Sequence, residues 1–139
     1  MPRALLSPII DACIAIAEST SVPVGDGEAP DCEKPYIVVN AVSSPPYKGP
    51  LPDGEADSVD RIQFSCIGET RAQADAVRDD LRAAMTYAAF DAQFVTLSAD
   101  RRMMHLKLDI SRGGQRDDRG LPAPIFSAID QYIIETTPT

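Results

Sequence analysis

The sequence predicts an α+β fold: a mainly antiparallel sheet of four to five strands with two helices packed on one face. Three observations lead there. Strand-like runs outnumber helical ones, and most of them alternate apolar and polar side chains. The order is helix, two strands, helix, three strands, without the strict βα alternation of a parallel sheet. The 139 residues suit one domain, 1–139. A chain of that size buries roughly two-thirds of its unfolded surface, so it needs no metal or disulfide staple. Trp is absent and aromatics are 6%, so Ile, Val, Leu, Ala and Met must build the core.

The first helix starts at Ser7-Pro8, a capping residue followed by a proline suited to the first helical position. Ile9, Ile10, Cys13, Ile14, Ile16 and Ala17 recur at helical spacing, and the helix ends near Glu18 or Ser19. Pro8 and Asp11 interrupt the apolar run, which argues against a signal peptide. Residues 20–35 read as an acidic loop, with Asp26, Glu28, Asp31 and Glu33 close together and solvated by mutual repulsion.

"YIVVNAV" at 36–42 is a β-branched strand. "VDRIQFSCI" at 59–67 alternates: Ile62, Phe64 and Cys66 on one face, Arg61, Gln63 and Ser65 on the other, as in a half-buried antiparallel strand. Thr70 and Gln73 form a capping-box pattern that opens the second helix, 68–85. Its apolar stripe is Ala74, Val77, Leu81 and Ala84, and Asp75–Arg78 and Asp79–Arg82 are spaced to pair on its exposed side. Strands follow at 93–99 and 103–111. In the second of these, Met104, Leu106, Leu108 and Ile110 alternate with His105, Lys107 and Asp109. Residues 112–123 read as a charged, glycine-bearing loop, and the last strand runs over 124–137.

The net charge is −8. Residues 1–58 hold three basic and nine acidic side chains, −6, and residues 59–139 hold ten and twelve, −2. Such a chain is a poor clamp for nucleic acid, because phosphate binding depends on Lys and Arg releasing counterions. The three cysteines form no CxxC pair, and Cys13 and Cys66 fall on core faces, so buried thiols in a reducing compartment fit. No run of 18 apolar residues is present to span a membrane.

Catalytic patterns are sparse. His105, the one histidine, lies on the polar side of its strand, where an exposed imidazole is favoured over a general base. No serine occupies a GxSxG elbow, and neither "GDG" nor "RGG" follows a strand and opens a helix at the spacing a dinucleotide fingerprint needs. "DGEAD" at 53–57 lacks the bidentate glutamate of a calcium loop. The expectation is no enzyme, no cofactor and no metal.

The long loops carry more information. Ordering the 16 residues of 43–58 would cost tens of kcal/mol at roughly 1–2 kcal/mol each. Pro45, Pro46, Pro50 and Pro52 lower that cost by stiffening the unfolded chain, while Tyr47 and Leu51 offer apolar anchors. A semi-rigid arm that orders against a neighbouring subunit accounts for these features; the alternative is a floppy hairpin connection with no further role. Pro45, Pro46, Tyr47, Lys48 and Leu51 are therefore candidate interface residues, with Arg112, Arg116 and Arg119 of the charged 112–123 stretch.

In "QFSCIGETRAQADAVRDDL", Gln63, Cys66, Gly68 and Thr70 lead into Ala74, Ala76 and Leu81, and the chain closes on "DQYIIETTP", Asp130 to Pro138. In these phrases, and in the order of its elements, the chain resembles the tail terminator, or tail completion, proteins of long-tailed bacteriophages, especially those of actinobacteria. The resemblance covers most of the chain. It implies an α+β subunit of a ring, hexameric in that family. The ring caps the head-proximal end of the tail tube, ends its growth and offers a surface for the head. Implied partners are further copies of the chain, the tail tube protein, a head–tail connector or stopper and the tape measure protein, with double-stranded DNA passing through the lumen unbound and no membrane. The implied location is the virion, after assembly in the host cytoplasm. On this reading Asp26, Glu28 and Asp31 line or approach the lumen. Two alternatives stand beside it: a head–tail connector or stopper ring, and a small cytosolic α+β enzyme or ligand-binding domain.

Overall fold

The computed structural model describes residues 6–43, 58–90, 101–117 and 125–138. Two helices and five strands follow in the order α1 (Leu6–Glu18), β1 (Val24–Asp26), β2 (Tyr36–Ser43), β3 (Ser58–Gly68), α2 (Arg71–Phe90), β4 (Arg101–Asp117) and β5 (Ile125–Pro138). They form one sheet in the order β1-β2-β3-β5-β4. The β1–β2 pair is parallel and the other three pairs are antiparallel. The α+β class with a mostly antiparallel sheet is as the sequence predicts.

Alternation builds the core. Ile37 and Val39 of β2, Ile62, Phe64 and Cys66 of β3, and Ala128, Tyr132 and Ile134 of β5 all turn to one face. Both helices lie on that face. From α1 come Ile9, Cys13, Ile16 and Ala17, and from α2 come Ala74, Val77, Leu81 and Met85. Phe64 and Tyr132 meet edge to face, with ring centroids 5.6 Å apart and planes at 87°. That geometry adds about 0.5–1.5 kcal/mol beyond the area the rings bury.

The helix ends follow from local chemistry. At the start of α2, Thr70 Oγ1 accepts from the Gln73 N–H at 3.1 Å, and Gln73 Oε1 accepts from the Glu69 N–H at 2.7 Å. This is a variant of the capping box at its expected place, with the return bond made to Glu69 instead of Thr70. The helix extends to Phe90, five residues past the expected end. At the end of α1, the hydroxyls of Ser19 and Thr20 donate to the carbonyls of Ile16 and Ala17, and Ser21 turns left-handed at φ 65°.

Three expectations are corrected. Residues 112–117 are not loop: they continue β4, because the long β5 offers ladder partners as far as Ile125. Bulges between Met103 and His105, Leu108 and Ile110, and Arg112 and Gln115 absorb the irregular sequence. At the last of them Gly113 and Gly114 pass close to α2. A Cβ on Gly114 would lie 3.0 Å from Arg71 Cγ and 3.1 Å from the Arg71 carbonyl oxygen. Second, the 20–35 stretch contains strand β1, held to β2 by the Gly27 N–H donating to the Val39 carbonyl at 2.9 Å. Third, the helix-surface ion pairs differ. Asp75 takes Arg71 at 3.3 Å, Asp79 takes Arg78 at 3.4 Å, and Arg82 leaves the helix surface for Asp130 of β5. The strand expected at 93–99 lies outside the described residues.

Candidate assembly surface

The sheet face opposite the helices carries no further layer among the described residues. Its cross-strand rows follow from the register. Asn40, Gln63 and Gln131 form a polar row across β2, β3 and β5. Beside it Val38, Ser65, Ile129 and Arg112 form a second row, and Arg61, Ile133 and Lys107 a third. The bulge after Leu108 places Ile110 opposite Gln131, so Ile110 leaves the face it was expected to share with Leu106 and Leu108 and is 54% exposed. Gln131 Nε2 donates to Asp109 Oδ2 at 3.1 Å, and Arg61 Nε lies 3.7 Å from the same oxygen. Alternating isoleucine, amide and charge gives this face the mixed polarity of a protein–protein contact.

Behind the surface, an ionic network centred on the buried Asp130 ties β4 and β5 to α2. Asp130 is wholly buried and has four donor contacts. Arg82 Nε reaches Oδ2 at 3.2 Å and Arg82 Nη2 reaches Oδ1 at 3.0 Å. The Ser111 hydroxyl donates to Oδ1 at 2.7 Å and the Tyr132 hydroxyl to Oδ2 at 3.2 Å. Arg82 Nη2 also donates to Ser111 Oγ at 2.6 Å. Burial, and then the neighbouring Asp130 carboxylate, push the Tyr132 phenol up. The hydrogen bond to Asp130 pushes the Arg82 guanidinium up, so Arg82 stays charged. Nothing at the level of sequence spacing joins residues 82, 111, 130 and 132.

The candidate residues fall in separate places. Arg112 is on β4, with Nη2 donating to Ser127 Oγ at 2.9 Å and its Nε buried without a partner. Arg116 is exposed on β4 opposite Phe126. Asp26 closes β1, and Glu28 and Asp31 follow it, all three exposed. Arg112 and Arg116 therefore occupy one edge of the sheet and Asp26 the other, with β2, β3 and β5 between. Pro45, Pro46, Tyr47, Lys48, Leu51 and Arg119 lie outside the described residues. Cys13 and Cys66 are buried and Cys32 is exposed. Burial, reinforced by the Asp130 charge and opposed by Arg78, pushes the Cys66 thiol up to about 12, so it packs as a neutral group. Among the described residues no group of three or more His, Cys, Asp or Glu is placed to hold a metal ion, and no helix is long and apolar enough to cross a membrane.

Fold and surface together define an α+β sheet protein with one face clad by helices and, among the described residues, no layer on the other. A chain in the solved structure titled "Virion of native gene transfer agent (GTA) particle" has a similar fold, at TM-score 0.52 and 15% identity, over 87% of this chain and 85% of that one. No family model and no curated protein matches the sequence.

Proposed function

We propose that this chain is a structural subunit of a phage-type virion. It assembles with copies of itself into a ring, of six subunits, that caps the head-proximal end of the tail tube, stops tube growth and presents a surface to the head connector. The observation that carries the reading is the likeness of fold, over most of both chains, to a chain from a gene transfer agent virion. The sheet face that carries no further layer among the described residues agrees with it, since a virion subunit must meet other proteins on broad surfaces. The phrases from Gln63 to Leu81 and from Asp130 to Pro138 support the tail terminator assignment within that class. Partners on this reading are the tail tube protein, the connector or stopper and the tape measure protein. The net charge of −8 suits a lumen through which DNA slides without being gripped. The reading assigns the chain no catalytic step and no cofactor.

Deleting the gene from the phage that carries it tests the proposal. Tails of uncontrolled length with heads unattached are the expected outcome. Tails of normal length that lack only head attachment would transfer the chain to the connector. Unaltered, infectious particles would end the virion reading.

A further inference from the structure

The two edges of the sheet carry opposite charge. On the β4 side, residues 101–117 hold Arg101, Arg102, Lys107, Arg112 and Arg116 against Asp109 and Asp117, a net of +3 in a chain of net −8. On the β1 side, Asp26, Glu28, Asp31 and Glu33 give residues 24–33 a net of −4, and all four are exposed. None of these four carboxylates forms an ion pair with another described residue, and neither does the exposed Lys107.

Within one subunit the two sets cannot satisfy each other. Five strands at about 4.8 Å spacing separate the edges by roughly 19 Å. The screening length at physiological salt is about 8 Å. Among the described residues no strand pairs with the outer side of β1 or of β4.

We infer that the acidic β1 side of one copy docks against the basic β4 edge of the next, so that the ring is built head to tail through its sheet edges. This rests on the ring reading above. A contact between two different surfaces of the same chain is heterologous, and it closes into a ring when each step adds a fixed rotation. An isologous pair would set like charges against each other. The β4 bulges leave no unbroken run paired with β5 longer than His105–Leu108, which disfavours a long continuous strand pairing between copies and leaves side-chain charge to carry the register. The inference gives Asp26, Glu28 and Asp31 a neighbouring subunit as partner in place of the lumen.

Charge reversal tests it. The full-length chain is compared with the triple variant Asp26→Lys, Glu28→Lys, Asp31→Lys, with the double variant Lys107→Glu, Arg116→Glu, and with the two sets combined. Light scattering and negative-stain electron microscopy at low salt give the assembly state, and circular dichroism verifies folding. The expected result is rings for the wild type, single chains for each reversed set, and rings again for the combination. Rings that persist in either reversed set, or a combination that stays apart, overturn the edge contact while leaving the ring in place. A wild-type chain that stays single at every concentration ends the ring reading and this inference with it.

Discussion

Arg82 Nη2 lies 3.0 Å from Asp130 Oδ1, joining the middle of α2 to the central part of β5 across 48 residues of sequence. The carboxylate is wholly buried, whereas the Arg82 side chain is 39% exposed. A buried charge that loses its partner is strongly destabilising. Arg82→Ala should therefore cost about 2–4 kcal/mol, discounted from the fully buried case because solvent still reaches the guanidinium. Urea unfolding reads this directly, and a loss below about 0.5 kcal/mol would mean that the network is not a structural tie.

Gly68 is held by close backbone approach. A Cβ on Gly68 would lie 2.7 Å from the Ala74 nitrogen and 3.2 Å from its Cα, where β3 turns into α2. Gly68→Ala should destabilise by about 1–3 kcal/mol, because helix backbone cannot yield as a flexible side chain can. Gly113→Ala, whose nearest neighbours are the ends of Asp75 and Arg78 at 3.8 and 3.9 Å, should cost markedly less. Denaturation midpoints of the two variants give the comparison.

Thiol chemistry should divide the cysteines. Cys32 is exposed and should be alkylated in the folded chain, while Cys13 and Cys66 should react only after unfolding.

Those buried groups also predict alkaline weakening. Folding moves Cys66 from an ordinary 9.0 up to about 12, and Cys13 and Tyr132 shift in the same direction. Above 9.0 the unfolded Cys66 thiol releases its proton while the folded one keeps it. Stability from this group is thus fully present below 9.0 and is lost as pH rises toward about 12. Unfolding free energies from urea titrations at about pH 8 and about pH 10 should differ by about 1 kcal/mol or more. A flat profile across that interval would contradict the burial of the thiols.

Core and surface apolar residues should separate in their effects. Leu81 is fully buried, so Leu81→Ala should cost about 2–5 kcal/mol. Ile110 is 54% exposed, and Ile110→Ser should stay within about 0.5 kcal/mol of wild type in the single chain. If the sheet face opposite the helices is a subunit contact, Ile110→Ser should nevertheless weaken assembly, which light scattering reads independently of unfolding.

Local patterns carried most of the fold. Ile62, Phe64 and Cys66 face the helices as their period of two predicts, the Thr70–Gln73 box caps α2, and Ala74, Val77 and Leu81 form the buried stripe. The departures share one cause, which is competition from distant partners. Gly113 and Gly114 read as loop punctuation, yet β5 holds them in a bulged strand. Arg82 suits a helical pair with Asp79, yet the buried Asp130 claims it. Ile110 continues an alternation that the bulge after Leu108 breaks. Of the candidate surface, the polar row of Arg61, Gln63 and Ser65 was legible, whereas its continuation through Gln131 and Asp109 depends on strand register.

By itself the sequence determined the α+β class, the two amphipathic helices, the core face of β3, and the acidic bias of the first 58 residues, because periodicity and charge are local properties of the chain. Tertiary structure alone decided the order β1-β2-β3-β5-β4, the Arg82–Asp130 tie and the placing of acidic and basic groups on opposite sheet edges. Strand order and register are set by which long-range pairings satisfy the most backbone hydrogen bonds and bury the most apolar surface together, and no window of neighbouring residues contains that comparison.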